Sequence, residues 1–319
     1  MSLPLVVAPC INSLELWTVP YNSVFTADLF ADQTIIVTGG GSGIGRCIAH
    51  ELAHLGANVV ITGRSREKLN TVAAEIIEDG GTADGFAFDI RIEDEVSAAI
   101  AQILAKHGPV SGLVNNAGGQ FLAKLEDISQ KGWETVVRTN LTGGFLISRE
   151  VLNQSMKDTG GAIVNITADH ERSMPGLGHS GAARAGMENF TKTAALEWAR
   201  YGVRVNVVAP GYIATSGLKQ YPLPHKKRIQ RRKTFVPSRR LSTEAEVSAA
   251  VVFLLSPGAS FISGESIGVN GAVPAMTAEY ALSPDNTPSP DDRYPYYDGF
   301  HRSEKLDFLA DGFEFDEDG

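Results

Sequence analysis

The chain has 319 residues, 43% hydrophobic and 20% charged, which is ample for a buried core and argues against global disorder. Its formal charge of −9 is unevenly placed: Ala272 to Gly319 holds 12 acidic and 3 basic residues, leaving 25 of each sign in the 271 residues before it. A neutral body argues against general nucleic-acid binding, no apolar run reaches the ~20 residues of a membrane span, and two cysteines, Cys10 and Cys47, make no disulfide framework.

The first Lys or Arg is Arg46, so a secretory signal with a basic start is not expected, and a reducing, cytoplasmic setting is. Residues 1–30, interrupted by Pro4, Pro9 and Pro20, read as an N-terminal extension. Thr34–Thr38 then reads as a strand, Ile44–Leu55 as a helix closed by Gly56, Asn58–Thr62 as a strand and Ser65–Glu78 as a helix. A third strand is expected over Phe86–Ile90, a helix over Val96–Lys106, a fourth strand over Gly112–Asn115 and one long helix over Trp133–Met156. Ala162–Thr167, Gly181–Tyr201 and Val203–Val208 follow as strand, helix and strand, then a helix near Glu244–Leu255 and a last strand at Ser266–Val269. Val/Ile-rich strands alternating with amphipathic helices imply a parallel sheet covered on both faces, hence one doubly wound α/β domain over 31–271. Residues 272–319 read as an acidic arm, part of which docks through aromatics such as Tyr297, Phe300 and Phe308.

Thr38-Gly-Gly-Gly-Ser-Gly-Ile-Gly45 links the first strand to the first helix. Gly39, Gly43 and Gly45 allow a tight turn and close approach to a pyrophosphate, and the helix start beside Ser42 and Ile44 offers N–H groups and a positive dipole end. Dinucleotide sites for NAD place a carboxylate after the second strand. Here the chain reads Ile61-Thr62-Gly63-Arg64-Ser65-Arg66, so Arg64 is expected to hold a 2′-phosphate and the cofactor to be NADP(H). The alternative is that Arg64 and Arg66 are solvated residues at a helix start. Asp89, with Ile90 beside it, is expected to accept a hydrogen bond from an adenine or to cap the next helix.

These features, with Asn115-Asn-Ala-Gly118, Asn140 and Pro210-Gly-Tyr-Ile-Ala-Thr215, resemble the short-chain dehydrogenase/reductase family over roughly residues 30–271. The resemblance implies a Rossmann fold, a nicotinamide cofactor and a homotetramer. It implies that Asn116 and Gly118 lie at the adenosine half, and Pro210, Gly211, Ile213 and Thr215 at the nicotinamide. The family's usual catalytic set is Asn, Ser, Tyr and Lys. Those positions fall here on Asn140, Thr167, Ser180 and Arg184, so only the asparagine is kept. A serine hydroxyl is a far weaker acid than a phenol, and an arginine stays charged and shuttles no proton. Ordinary ketone chemistry by the usual route is therefore disfavoured.

Asn115-Asn-Ala-Gly-Gly-Gln-Phe121 and His179-Ser-Gly-Ala-Ala-Arg-Ala-Gly186 are similar to the branch that holds peroxisomal trans-2-enoyl-CoA and 2,4-dienoyl-CoA reductases. That resemblance implies NADPH-dependent reduction of an enoyl thioester, with Gln120 and Phe121 at the substrate. Thr167 and a ribose hydroxyl held by Arg184 would face the growing oxyanion. Candidate proton sources are Tyr212, His179, His170, Asp169 or water. In this family residues 215–243 form a lid, and here Ser216 to Thr243 carries nine basic and no acidic residues. Arg231, Arg232 and Lys233 are expected on the phosphates of an acyl-CoA, or else on the acidic arm. No metal-ligand spacing is seen. The alternatives are a hydroxyacyl or ketoacyl dehydrogenase with non-standard residues, and a non-catalytic nucleotide-binding subunit.

Overall fold

The computed structural model describes residues 25–232, 236–277, 297, 299–310 and 312–315. Seven strands form one parallel sheet in the order β3-β2-β1-β4-β5-β6-β7. They are β1 Thr34–Thr38, β2 Asn58–Gly63, β3 Thr82–Ala87, β4 Val110–Asn115, β5 Gly161–Ile166, β6 Val203–Pro210 and β7 Ser266–Val269. The central strands are buried on both faces, as continuous Val/Ile runs require. One core lies under α1 (Gly43–His54), α2 (Arg66–Glu78) and the late helix α9 (Glu244–Leu255). The other lies under α3 (Glu93–His107), α5 (Gly143–Val151) and α7 (Gly178–Trp198). Phe30, 1% exposed, packs into the first core, which therefore draws on the chain before residue 31.

Two expectations need correction. β3 pairs with β2 from Asn58↔Thr82 to Gly63↔Ala87, earlier than Phe86–Ile90. The edge position lets Asp84 and Gly85 take up strand geometry through backbone pairing alone, while Phe88 and Ile90 are buried in the second core beyond the strand. The expected long helix spans more residues and is not uniform. α4 (Gln130–Val137) runs through a π-turn at Arg138–Thr142 into α5, then through a second π-turn at Leu152–Met156 into α6 (Lys157–Thr159).

After β6 come a 3-10 turn at Ser216–Gln220 and the amphipathic helix α8 (Leu223–Arg232), whose Ile229 is buried. The described residues of the C-terminal arm then strap across the body of the same chain. Phe300, 5% exposed, packs beside Cys47 and Ala245, with the Arg46 guanidinium 5.4 Å above its ring. Arg302 forks onto Asp79 and reaches Glu78, and Glu304 pairs with Lys219 at 2.5 Å. Further on, Phe308 and Phe315 stack near Lys226 and Lys227 of α8, and Gln230 donates to the Phe313 carbonyl. Among the described residues no helix is long and apolar enough to cross a membrane, and no group of three or more His, Cys, Asp or Glu is arranged to hold a metal ion.

Candidate active site

In a doubly wound sheet the ligand crevice lies at the carboxyl ends of the strands, where strand order reverses. Here that point is between β1 and β4. The Thr38 hydroxyl ties the two strand ends together: it donates to the Val114 carbonyl and accepts the N–H groups of Asn116 and Ala117, each at 2.9 Å. Asn116 Nδ2 returns to the carbonyls of Thr38 and Gly39. Asn116 thus braces the glycine turn from behind. Gly39 has φ +66, and a Cβ on Gly45 would lie 2.3 Å from Asn116 Nδ2 and 2.5 Å from the Gly39 oxygen. Only glycine fits either place. The turn delivers Ser42, Gly43 and Ile44 to the start of α1, where Ser42 makes no side-chain capping bond, so the first N–H groups of the helix keep their anion-binding character.

Arg64 is exposed at the end of β2. Arg66 has turned to the Gly85 carbonyl at 2.6 Å. Both Asp89 oxygens are engaged by Arg91, and that bonding, with the positive charge of Arg64 nearby, holds the Asp89 carboxyl below its usual range. Asp89 also receives the backbone N–H of Arg91, but α3 starts at Glu93 behind Ile92 with no side-chain cap, so Asp89 braces the turn before the helix instead of capping it. Ile90 is buried.

The central cluster joins the loop after β4, the first π-turn and α7. Asn140 is 3% exposed and bonds Gly119 twice. A Cβ on Gly118 would lie 2.6 Å from Arg184 Nη2 and 3.1 Å from Asn140 Oδ1, so glycine is what allows the guanidinium and the amide to converge. Arg184 donates to the Ile166 carbonyl, and burial brings its pKa down to about 10, still charged at neutral pH. Thr167 is 4% exposed. Its Oγ1, with Arg184 Nε and His179 Nε2, is buried without a hydrogen-bond partner among the described residues. Buried polar atoms of this kind normally mark a missing ligand or water.

Ser180 and His179 are fully buried. His179 Nδ1 accepts the Ser180 N–H at 2.9 Å, and its ring meets Phe121 edge-on at 4.4 Å. Ser180 Oγ donates to Gln120 Oε1 at 2.8 Å, and Gln120 Nε2 donates to the phenol oxygen of Tyr221 at 2.9 Å. Tyr221 is the residue that sequence reasoning missed. It closes the 3-10 turn at Ser216–Gln220, where no periodicity indicates which side chains turn inward.

Not every expected residue joins this cluster. Asp169 and His170 line a separate cleft with Glu171, Glu188 and Asn270, and His170 Nε2 lies 3.1 Å from Glu188. Gly211 donates to Val269, and Ile213 bridges Ser242. Pro210 ends β6, and Thr215 opens the 3-10 turn within reach of Gly43. The Arg232 guanidinium stands 4.6 Å over the Tyr212 ring. With Lys227, Arg228, Arg231, Val273 and Met276 these two line a cavity of about 630 Å³ beneath α8. Lys233 lies outside the described residues.

Comparison with known proteins agrees with this geometry. The family described as Enoyl-(Acyl carrier protein) reductase matches residues 39–273. The peroxisomal 2,4-dienoyl-CoA reductase, (3E)-enoyl-CoA-producing, of Mus musculus is 37% identical over 257 residues, 79% of this chain and 87% of that protein. The citronellol catabolism dehydrogenase (AtuB) of Pseudomonas aeruginosa PAO1 is 58% identical, with a TM-score of 0.71 over 79% of this chain and 99% of its own. An actinorhodin polyketide ketoreductase solved with NADPH is 32% identical, with a TM-score of 0.72 over 76% of this chain and 98% of its own. A family match across most of the chain, on a parallel sheet with its switch point between β1 and β4, establishes that this protein belongs to the short-chain dehydrogenase/reductase family of oxidoreductases.

Proposed function

We propose that the protein uses NADP(H) to reduce the carbon–carbon double bond of an enoyl thioester of the acyl-CoA type. The observation that carries the reading is Ser180. It stands where the family's phenol would be, fully buried, with its proton directed at Gln120. A ketone oxygen turning into an alkoxide needs an acid near pKa ~10 at that spot, and a serine hydroxyl is too weak to supply it. An enoyl thioester has no such need, because its oxygen requires only electrostatic support while the carbon chain takes up hydride and proton.

The residues present fit the dinucleotide. The uncapped start of α1 suits its pyrophosphate, the exposed Arg64 its 2′-phosphate, and the half-buried Arg184 its ribose hydroxyls. When bound, the reduced cofactor supplies a hydride. The orphaned Thr167 hydroxyl is then available to the thioester oxygen, with the positive charge of Arg184 behind it. Asn140 keeps Gly118 and Gly119 in place, and Phe121 with His179 gives an apolar wall for the acyl chain. Arg228, Arg231 and Arg232 offer guanidinium groups to the CoA phosphates. The mouse relative, a dienoyl-CoA reductase, supports the substrate class. A homotetramer in the cytoplasm completes the reading, with Trp133 and Phe145 of α4 and α5 as exposed apolar contacts.

A second reading, oxidation of an alcohol or reduction of a ketone, is favoured by the relatives named dehydrogenase and ketoreductase. The test is NADPH absorbance with trans-2-enoyl-CoA, 2,4-dienoyl-CoA and 3-oxoacyl-CoA. Turnover of the first or second supports the proposal, and turnover of the third alone replaces it. Cofactor binding without any turnover points to a non-catalytic subunit.

A further inference from the structure

Saturating an enoyl thioester consumes a proton at Cα, and Ser180 does not readily give one. We propose that Tyr221, carried by the lid, is the proton donor of this site. This rests on the enoyl-thioester reading above. The bonding directions point to it. An amide side chain has one accepting and one donating end. Ser180 occupies the Oε1 of Gln120, which turns Nε2 onto the Tyr221 oxygen. Tyr221 therefore acts as an acceptor toward Gln120 and keeps its own proton for another partner. The same amide N–H faces the oxygen when it becomes negative after the proton has left. Ser180 is in this sense a positioning residue that acts through Gln120. The phenol ring is held from the other side by His225, 4.6 Å away at the start of α8.

Three of the other candidate side chains are placed elsewhere. The Tyr212 ring is covered by Arg232, and Asp169 and His170 line another cleft. The His179 ring is fully buried with Phe121 edge-on against it, which leaves it less open to water than Tyr221. Tyr221 is half-buried at the edge of the lid, so solvent reaches it.

The step balances as follows. As hydride adds at Cβ, the π pair of the double bond moves into the Cα–thioester system as an enolate. The Tyr221 O–H bond then breaks, a Cα–H bond forms, and the O–H electron pair stays on the phenol oxygen. That oxygen recovers a proton from water when the lid opens.

The test compares wild type, Tyr221→Phe and Gln120→Leu on an enoyl-CoA in H2O and in D2O. Tyr221→Phe is expected to lower kcat by about a hundredfold or more, as loss of a general acid does. NADPH affinity, read by fluorescence titration, should be unchanged and shows that the variant is folded. In D2O the wild-type product should carry deuterium on one face of Cα, whereas the Tyr221→Phe product, protonated by water, should be labelled on both faces. Gln120→Leu should give an intermediate kcat. If Tyr221→Phe keeps kcat within about twofold, or loses rate while still labelling one face, the inference is overturned and Tyr221 only shapes the lid. Failure of the wild type to reduce any enoyl-CoA would remove the underlying reading as well, so the two failures are distinguishable.

Discussion

Asn140 holds Gly119 by both ends of its amide: Oδ1 accepts the Gly119 N–H at 2.8 Å, and Nδ2 donates to the Gly119 carbonyl at 2.9 Å. The grip depends on the π-turn at Arg138–Thr142, which carries the amide at the crevice, and such turns are often found at functional sites. Asn140→Ala removes both bonds and leaves a loop N–H and C=O to find water. A loss of roughly 2 kcal/mol in urea unfolding is expected, with an unchanged m-value, along with a raised KM for the cofactor. A variant with wild-type stability and KM would show that Gly118 and Gly119 hold their shape without it.

In the proposed site, the exposed Arg64 decides the choice of cofactor. A hydrogen bond to a charged group contributes about 1.5–3 kcal/mol. Arg64→Ala should therefore lower kcat/KM for NADPH by about ten- to a hundredfold and leave NADH almost unaffected. Equal losses with both cofactors would return Arg64 to the role of a solvated helix-start residue.

The cavity under α8 makes a separate prediction. Arg231→Glu with Arg232→Glu should raise KM for a CoA thioester several-fold, and the wild-type KM should rise with ionic strength as screening weakens the attraction. A short pantetheine thioester, which lacks the nucleotide phosphates, should be insensitive to both changes. Unaltered CoA-ester kinetics in the double variant would leave the basic lid helix as a partner for the acidic arm alone.

Docking of the arm should weaken in mild acid. His50 lies between Glu75 and Asp79, each at 3.3 Å, with its ring 5.1 Å from Phe300. Burial pushes its pKa below the ordinary 6.5, with Glu75 acting in the opposite direction. A lowered pKa means that the docked state favours neutral imidazole. Its contribution is complete above pH 6.5 and is lost as pH falls through the lowered value. The bond from Arg302 holds the Asp79 carboxyl at about 2, well under its ordinary 3.8, so that contribution is lost only at still lower pH. Protease cutting between Phe300 and Leu309 should therefore accelerate between about pH 7 and 5, and His50→Gln should flatten the profile. A flat wild-type profile would remove His50 from the docking equilibrium.

Much of this was legible in the sequence because burial on both faces forces long Val/Ile runs, and the glycine turn needs its residues at fixed places. What stayed hidden has physical causes. β3 takes its pairing from its neighbour, so Asp84 and Gly85 sit in a strand that their propensities oppose. The π-turns around Asn140 and Ser155 change hydrogen bonding by one residue without altering the apolar pattern. The bracing of Thr38 and Gly39 by the Asn116 amide is a tertiary contact that no local pattern around Asn116 indicates. Tyr221 is tied to the site by Gln120 across 101 residues of sequence, a contact that no local pattern encodes.

The strap formed by the arm carries a consequence for how the molecule assembles. Arg46 meets the Arg302 carbonyl across 256 residues, and Arg302 meets Asp79 across 223. Contacts this distant in sequence carry a large loop-closure entropy and form late, after the sheet has brought α1 and α2 to their places. The same strap reaches α8, the helix over the cavity lined by Tyr212 and Arg232. Docking of the strap and settling of α8 are therefore expected together, and refolding protein should regain its parallel sheet before α8 settles.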